Sequence, residues 1–363
     1  MDTGHKSILM PWLAVNLLLL VVPGLAIAQR GYIPNANSGN VSVVDVPSNT
    51  VIATIPVGVG PNGVAVAPDG RKAYVANHDT NDVSVIDTAS NAVVATVPVA
   101  ASPLFLAITP DGSKVYVSHY VSTFTVSVID TASNAVSATI TAACGFCFAA
   151  GVAVTPDGSK VYVGNNGINT VYVISTATNA IIDSVTVGTA PVGIAVTPDG
   201  SRAYVGNYFS NDVHVIATAS NAVTAVIPAG SPEGAAVSPD GSRAYIANYD
   251  ASTLTVISTA TNTVLATIPT GGVNPSGVSI TADGSKVYVA NRGSNNVAVV
   301  DTTTDTVSAT IAVGLGPNAI GNFIQQARST VQSEVPTLAG LGLFILSGLI
   351  GLSAARYLGR HRG

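Results

Sequence analysis

Apolar and small residues alternate along most of the chain in short runs, separated by clusters of Gly, Pro, Asn, Asp and Ser. Between Pro61 and Ala100 the runs are Gly63 to Ala67, Ala73 to Ala76, Val83 to Asp87 and Val93 to Val99. Val, Ile, Thr and Tyr dominate them, and a period of two in such residues is the signature of half-buried strands. The stretch predicts four short antiparallel strands. Asp69-Gly70 supplies the hairpin between the first two, because glycine tolerates positive φ. Ser90-Asn91 supplies the turn between the third and fourth, where asparagine can enter the left-handed region.

The same pattern recurs. Pro110-Asp111-Gly112-Ser113-Lys114-Val115-Tyr116-Val117 has near-copies along the chain, and its tyrosine falls at Tyr32, Tyr74, Tyr116, Tyr162, Tyr204, Tyr245 and Tyr288, with spacings of 42, 42, 46, 42, 41 and 43. Seven four-stranded units at one period cannot each bury both faces alone, whereas radial stacking buries a continuous core between neighbours. The fold class read from this is all-β, a seven-bladed β-propeller. The two ends of the array agree: the first copy lacks its opening strand, and Gly316-Pro317-Asn318-Ala319-Ile320-Gly321 repeats Gly60-Pro61-Asn62-Gly63-Val64-Ala65 with no further strand after it. The C-terminal strand is expected to pair with the N-terminal three and close the ring.

The run Ala73-Tyr74-Val75-Ala76-Asn77, the strand Val85-Ile86-Asp87-Thr88 and the Pro-Asp-Gly-Ser-Lys turn resemble the YVTN family of β-propeller repeats over about residues 31 to 324. The resemblance implies the propeller fold. For function it implies only a range, from surface-layer and single-stranded-DNA-binding proteins to lactonases, lyases and haem- or quinone-containing oxidoreductases, and fold analogy does not choose among them.

Comparing the copies separates scaffold from candidate site. The position after the strand-ending Asn varies: Ala36, His78, His119, Asn166, Tyr208, Tyr249 and Arg292, with Ser118 taken as the strand end of the third copy. The Pro-x-Gly slot at the start of the innermost strand offers Asn62, Val192, Glu233, Ser276 and Asn318, with Glu233 its only charge. Both sets belong to one loop face, where recognition is expected to reside. Tyr and His there suit ligand contact by stacking with a polar tip. His78 and His119 fall in adjacent copies with Asp79, Glu233 and Asp250 as carboxylate companions, which makes His78, His119 and Glu233 the candidates for acid–base work. Two histidines without a third obvious ligand make a weak metal site, and no metal is assigned. His214, inside a strand, reads as structural. No G-x-S-x-G, H-E-x-x-H or P-loop is present, and no cofactor is expected.

Two further features bear on partners. Between Arg30 and Gln326 there are 17 acidic and nine basic residues, a net charge of −8, so binding to a phosphate backbone is disfavoured and nucleic acid is an unlikely partner. A cation recurs after each Asp-Gly turn, at Lys72, Lys114, Lys160, Arg202, Arg243 and Lys286, three residues beyond Asp69, Asp111, Asp157, Asp199, Asp240 and Asp283. Local cancellation makes this ring hairpin punctuation rather than an anion crown.

Cys144-Gly145-Phe146-Cys147 lies in the longest inter-copy connection. Haem attachment fails because Phe148 follows the second cysteine, and a zinc site lacks its second ligand pair. A disulfide pinning the loop, free thiols and a redox motif remain, and the expected export favours the disulfide.

The ends of the chain predict an address. Lys6 precedes an apolar run from Ile8 to Ala28 closing in Ala26-Ile27-Ala28, so residues 1–28 read as a signal peptide. Residues 29–324 are the propeller, 325–334 a polar linker and 335–363 a terminal segment. In that segment Leu338 to Leu358 is long enough to span a bilayer as a helix, with Arg356, Arg360 and Arg362 setting its cytoplasmic end. Val335-Pro336-Thr337-Leu338 with Gly342 and the basic tail resembles the IPTL-type sorting signal, a relative of PEP-CTERM tails. That resemblance implies an exosortase-like processing protease as partner, and delivery to the surface or matrix of a Gram-negative bacterium.

Two functional classes follow. The first is an exported, surface-associated binding or adhesion module for polysaccharide or an envelope protein, held to the membrane by the C-terminal helix, and the expectations above favour it. The second is a lactonase-like hydrolase or lyase using loop-face His and Glu residues.

Overall fold

The structure, a computed structural model, describes residues 29–325, among which there is no helix. The signal peptide, the processing motif and the apolar span expected at residues 1–28 and 335–363, with most of the 325–334 linker, lie outside the described residues.

Twenty-seven strands form six four-stranded antiparallel sheets and one of three strands. They are the seven expected blades. Blade 1 holds Arg30–Asn35, Asn40–Asp45 and Thr50–Pro56. Blade 2 is complete, with Pro61–Val66, Lys72–Asn77, Asp82–Asp87 and Ala92–Pro98. The innermost strands of blades 3 to 7 are Pro103–Ile108, Ala149–Val154, Pro191–Val196, Pro232–Val237 and Pro275–Ile280. Burial follows position in the blade. Lys72–Asn77 is buried on both faces between neighbouring blades, whereas Ala92–Pro98 at the rim alternates between exposed and covered positions.

The innermost strands approach each other closely enough to require small residues. A Cβ at Gly63 would lie 2.7 Å from the Leu104 carbonyl oxygen, and Cβ atoms at Gly193, Gly234 and Gly277 would strike the carbonyls of Glu233, Ser276 and Ala319 on the next blade. Glycine in the Pro-x-Gly slot is therefore a packing requirement.

The ring closes as expected. The segment from Pro317 to Gln325 supplies the missing inner strand of blade 1: Asn318 N donates to Pro34 O at 2.9 Å, Tyr32 N to Phe323 O at 2.9 Å and Gln325 N to Arg30 O at 2.7 Å. Val66 N of blade 2 donates to Asn322 O at 2.9 Å, so this strand bonds to both neighbours. Ala319, Phe323 and Ile324 are fully buried in the core shared by blades 7, 1 and 2.

On the turn face the repeated tyrosines and cations link blades. The hydroxyl of Tyr162 donates to Asn221 Oδ1 at 2.8 Å, that of Tyr204 to Asn262 at 2.9 Å and that of Tyr288 to Asn49 at 2.6 Å, each on the next blade. Those asparagines hold φ between 51° and 54°, the left-handed conformation expected of the turn. Lys114 and Lys160 reach the carbonyls of Thr176 and Thr218 on the next blade at 2.7 and 2.8 Å, and Arg202 reaches that of Thr259. The aspartates bond within their own turns instead: Asp111 accepts from Thr109 Oγ1 and from the amide and hydroxyl of Ser113. Structural use of the ring is as expected, but the mechanism is a set of inter-blade latches rather than local charge cancellation.

Candidate functional site

The opposite face carries the loops that follow each second strand. Their first residues are held by one recurring bond, from their own amide to the carbonyl of the residue preceding the inner strand. His78 N donates to Gly60 O at 3.0 Å, Tyr120 N to Ser102 O at 2.9 Å, Asn166 N to Phe148 O at 2.9 Å and Arg292 N to Asn274 O at 2.9 Å. Ala36, Tyr208 and Tyr249 are held in the same way to Gly316, Ala190 and Ser231. The backbone is thus uniform around the ring while the side chains vary.

In blade 3 the member of this ring is Tyr120, which corrects the assignment of His119. His119 ends its strand in the slot filled elsewhere by Asn35, Asn77, Asn165, Asn207, Asn248 and Asn291, and it is fully buried. Its Nε2 lies 2.8 Å from Ser127 Oγ, as Asn77 Nδ2 lies 2.8 Å from Ser84 Oγ in blade 2, and its Nδ1 lies 3.0 Å from Ala101 O. A carbonyl only accepts, so Nδ1 carries the hydrogen and Nε2 accepts from Ser127. Burial pushes the His119 pKa below its ordinary value, against the raising effect of the Ala101 and Ala100 backbone. A neutral, doubly bonded imidazole inside the blade is scaffold and cannot join His78 in the mouth.

The mouth is a cavity of 460 Å³ at the head of the central channel. From the variable ring it is lined by Ala36, His78, Tyr120, Asn166 and Arg292, and from the innermost strands by Asn62, Leu104, Ala150, Val192, Glu233 and Asn318. Phe105 forms part of its floor, packed with Ala150 and Ile320. Phe105 occupies the slot that is glycine in the other five complete blades, so blade 3 contributes a plug where the others contribute space. Beneath it a second cavity of 540 Å³, lined mainly by Leu106, Ile108, Val152, Val196, Val278 and Ile280, opens to the turn face. Tyr208 and Tyr249 do not line the mouth. They stand beside it with ring centroids 6.2 Å apart, and the Tyr208 hydroxyl donates to Asp250 Oδ2 at 3.1 Å. Burial first, and then Asp250, raises the Tyr208 phenol to about 12.

Three groups in the mouth have chemistry. Glu233 is half-buried at the start of its strand where it lines the cavity, and burial raises its carboxyl to about 8. Arg292 opposes that shift, and Asp250 adds to it. The acid is therefore largely protonated at neutral pH and can donate a proton. His78 Nδ1 lies 2.7 Å from Asp79 Oδ1, which fixes the hydrogen on Nδ1 and leaves Nε2 to accept. Asp79 itself sits against Gly60, where φ is 66° and a Cβ would lie 2.7 Å from Asp79 Oδ2. The third group is Arg292, the one Lys or Arg side chain lining the cavity. Asn318 Nδ2 donates to Asn62 Oδ1 at 2.6 Å, and Asn318 Oδ1 is buried without a partner. Among the described residues no cluster of three His, Cys, Asp or Glu side chains is placed to hold a metal ion.

Residues 221–312 match the model of the family described as lactonase, 7-bladed beta-propeller. The match spans the last strand of blade 5 with blades 6 and 7 and includes Glu233, Asp250 and Arg292, while His78 and Tyr120 lie outside it. No match is found among curated proteins. Among solved structures the chain is similar to hydrazine synthase of Kuenenia stuttgartiensis, with 25% identity, a TM-score of 0.67, and 76% of this chain and 92% of that one covered. It is also similar to a functionally unknown protein from Desulfotomaculum acetoxidans, with 20% identity, a TM-score of 0.71, and 81% and 98% coverage. A "putative 6-phosphogluconolactonase" from Bacteroides fragilis gives 19% identity, a TM-score of 0.68, and 80% and 97% coverage. These likenesses establish the propeller fold.

The cysteines form a disulfide, Cys144 to Cys147, in the connection from blade 3 to blade 4. It buries Cys147 and leaves Phe146 67% exposed, in edge-to-face contact with Phe148, which stacks on Tyr120 with ring centroids 4.7 Å apart. The loop was found from its C-x-x-C spacing, whereas its contact with the mouth through Tyr120 was not.

Proposed function

We propose that the loop-face mouth is a hydrolytic site for a cyclic ester, which reverses the order of the two classes expected from the sequence. The observation that carries this reading is the ligand-sized cavity that gathers Glu233, whose carboxyl burial raises to about 8, with Arg292 and the Asp79-oriented His78. The lactonase family match across Glu233 and Arg292 and the likeness to the Bacteroides fragilis protein support the same choice.

In this mechanism the lactone carbonyl faces Arg292 and the Asn62–Asn318 pair. His78 Nε2, oriented by Asp79, takes a proton from water as its oxygen attacks the carbonyl carbon. Arg292 stabilises the oxyanion. The ring C–O bond then breaks, and Glu233 gives its proton to the departing alkoxide. The proton held on His78 returns to Glu233 through solvent, so that one water is consumed and a hydroxy acid is released.

The sign of the pH dependence follows. The active form holds the proton on Glu233, so the rate falls as pH rises through about 8. Glu233→Gln keeps the shape and removes the proton, and is expected to lower kcat about 10²–10³-fold. Titration of lactone ring opening with a pH indicator, across a panel of five- and six-membered lactones, tests this. A Glu233→Gln variant with the wild-type rate and pH profile would refute it.

The address remains part of the proposal. An exported protein held by, or processed at, residues 335–363 fits the runs at both ends of the chain, and mass spectrometry of the mature ends distinguishes retention from processing.

A further inference from the structure

The mouth is divided. Going round the innermost strands, blades 3, 4 and 5 contribute Leu104, Ala150 and Val192 to the lining, and blades 6, 1 and 2 contribute Glu233, Asn318 and Asn62. The variable ring follows the division in part: Tyr120, backed by Phe148, stands over the apolar arc beside Asn166, while Arg292 and the His78–Asp79 pair stand over the polar arc beside Ala36. Phe105 crosses the floor against Ala150 and Ile320 and extends the apolar arc beneath the cavity. The inner strands, the Phe105 floor and Tyr120 thus place apolar surface on one side of a single 460 Å³ cavity.

From this two-sided mouth we infer that the ligand is amphipathic, a lactone carrying an apolar alkyl or aryl substituent, with the ring on the polar arc and the substituent against Leu104, Phe105, Val192 and Tyr120. The inference rests on the hydrolytic reading for the ring and goes beyond it for the substituent. A polyhydroxylated or phosphorylated sugar lactone fits poorly, because its hydroxyls would face Leu104, Ala150 and Val192 without partners. A phosphate would meet one guanidinium, Arg292, with the carboxylate of Asp79 on the same arc.

The test uses binding, so that it stands apart from turnover. Dissociation constants of γ-butyrolactam and of its 5-propyl and 5-hexyl derivatives, lactams that resist hydrolysis, are measured by calorimetry on the purified protein. Affinity is expected to rise by about fourfold for each buried methylene, reaching at least about 100-fold for the hexyl compound. Val192→Thr, close to isosteric, and Leu104→Asn are expected to cut the ratio of hexyl to parent affinity at least fivefold, with circular dichroism confirming the fold. An affinity that is flat or falls with chain length overturns the inference, as does tighter binding of gluconolactam than of the hexyl lactam. If the hexyl lactam binds as expected but no lactone is opened, the amphipathic site stands and the hydrolytic reading fails.

Discussion

His119 and His78 are separated by one position in the repeat, and that single step divides scaffold from site. The His119 ring replaces an asparagine amide, keeps the bond to the third strand through Ser127 and adds one to Ala101. His119→Asn is therefore expected to fold and to retain activity. His119→Ala leaves a buried hydroxyl and carbonyl unpaired and should lower stability by about 1–3 kcal/mol in urea denaturation. His78→Ala should do the reverse, leaving the denaturation midpoint in place and reducing lactone opening. Equal effects of the two alanine variants on stability would contradict the assignment. The third copy reads Val117-Ser118-His119-Tyr120 where its neighbours end in Asn. Without the bond partners, Ser118 passes for the strand end. Glu233 was legible as the one charge in its slot, but its protonation depends on surroundings assembled from several blades, which no local stretch of sequence records.

Each blade is a repeated element whose regularity was readable from the tyrosine spacing, since the residues that set it act within one copy and across its next neighbour. The latches on the turn face show why the spacing is kept. Tyr162 and Asn221 are bonded across a blade boundary although 59 residues apart, and the left-handed turn holds the asparagine in place. Tyr162→Phe should cost about 1 kcal/mol, read as a lower urea midpoint with unchanged slope. An unaltered midpoint would mean that the hydroxyl contributes only what water supplies. Phe105 shows the limit of reading by repeat. It fills a glycine slot, and its role as floor of the mouth appears only when seven inner strands face one another around the axis.

At the scale of the whole molecule, stability depends on a ring that one strand completes. Phe323, Ile324 and Ile320 are large side chains buried in that closure, and each contributes about 1.5–3 kcal/mol by removal from water. Deleting residues 316–324 is expected to lower the thermal midpoint steeply and to expose apolar surface between blades 1 and 2. A midpoint unchanged in calorimetry would show that the other six blades hold the ring unaided. Both the missing first strand and the solitary last one were visible as a copy split between the chain ends.

That closure has a directional consequence. Arg30 and Gln325 are bonded to each other at the turn face, so the chain enters and leaves the ring at neighbouring points on the side away from the mouth. Any tether attached through either end draws on the same edge of the disc. A label joined at residue 29 or residue 325 of the described ring therefore starts on the face opposite the mouth and leaves the cavity open to a ligand.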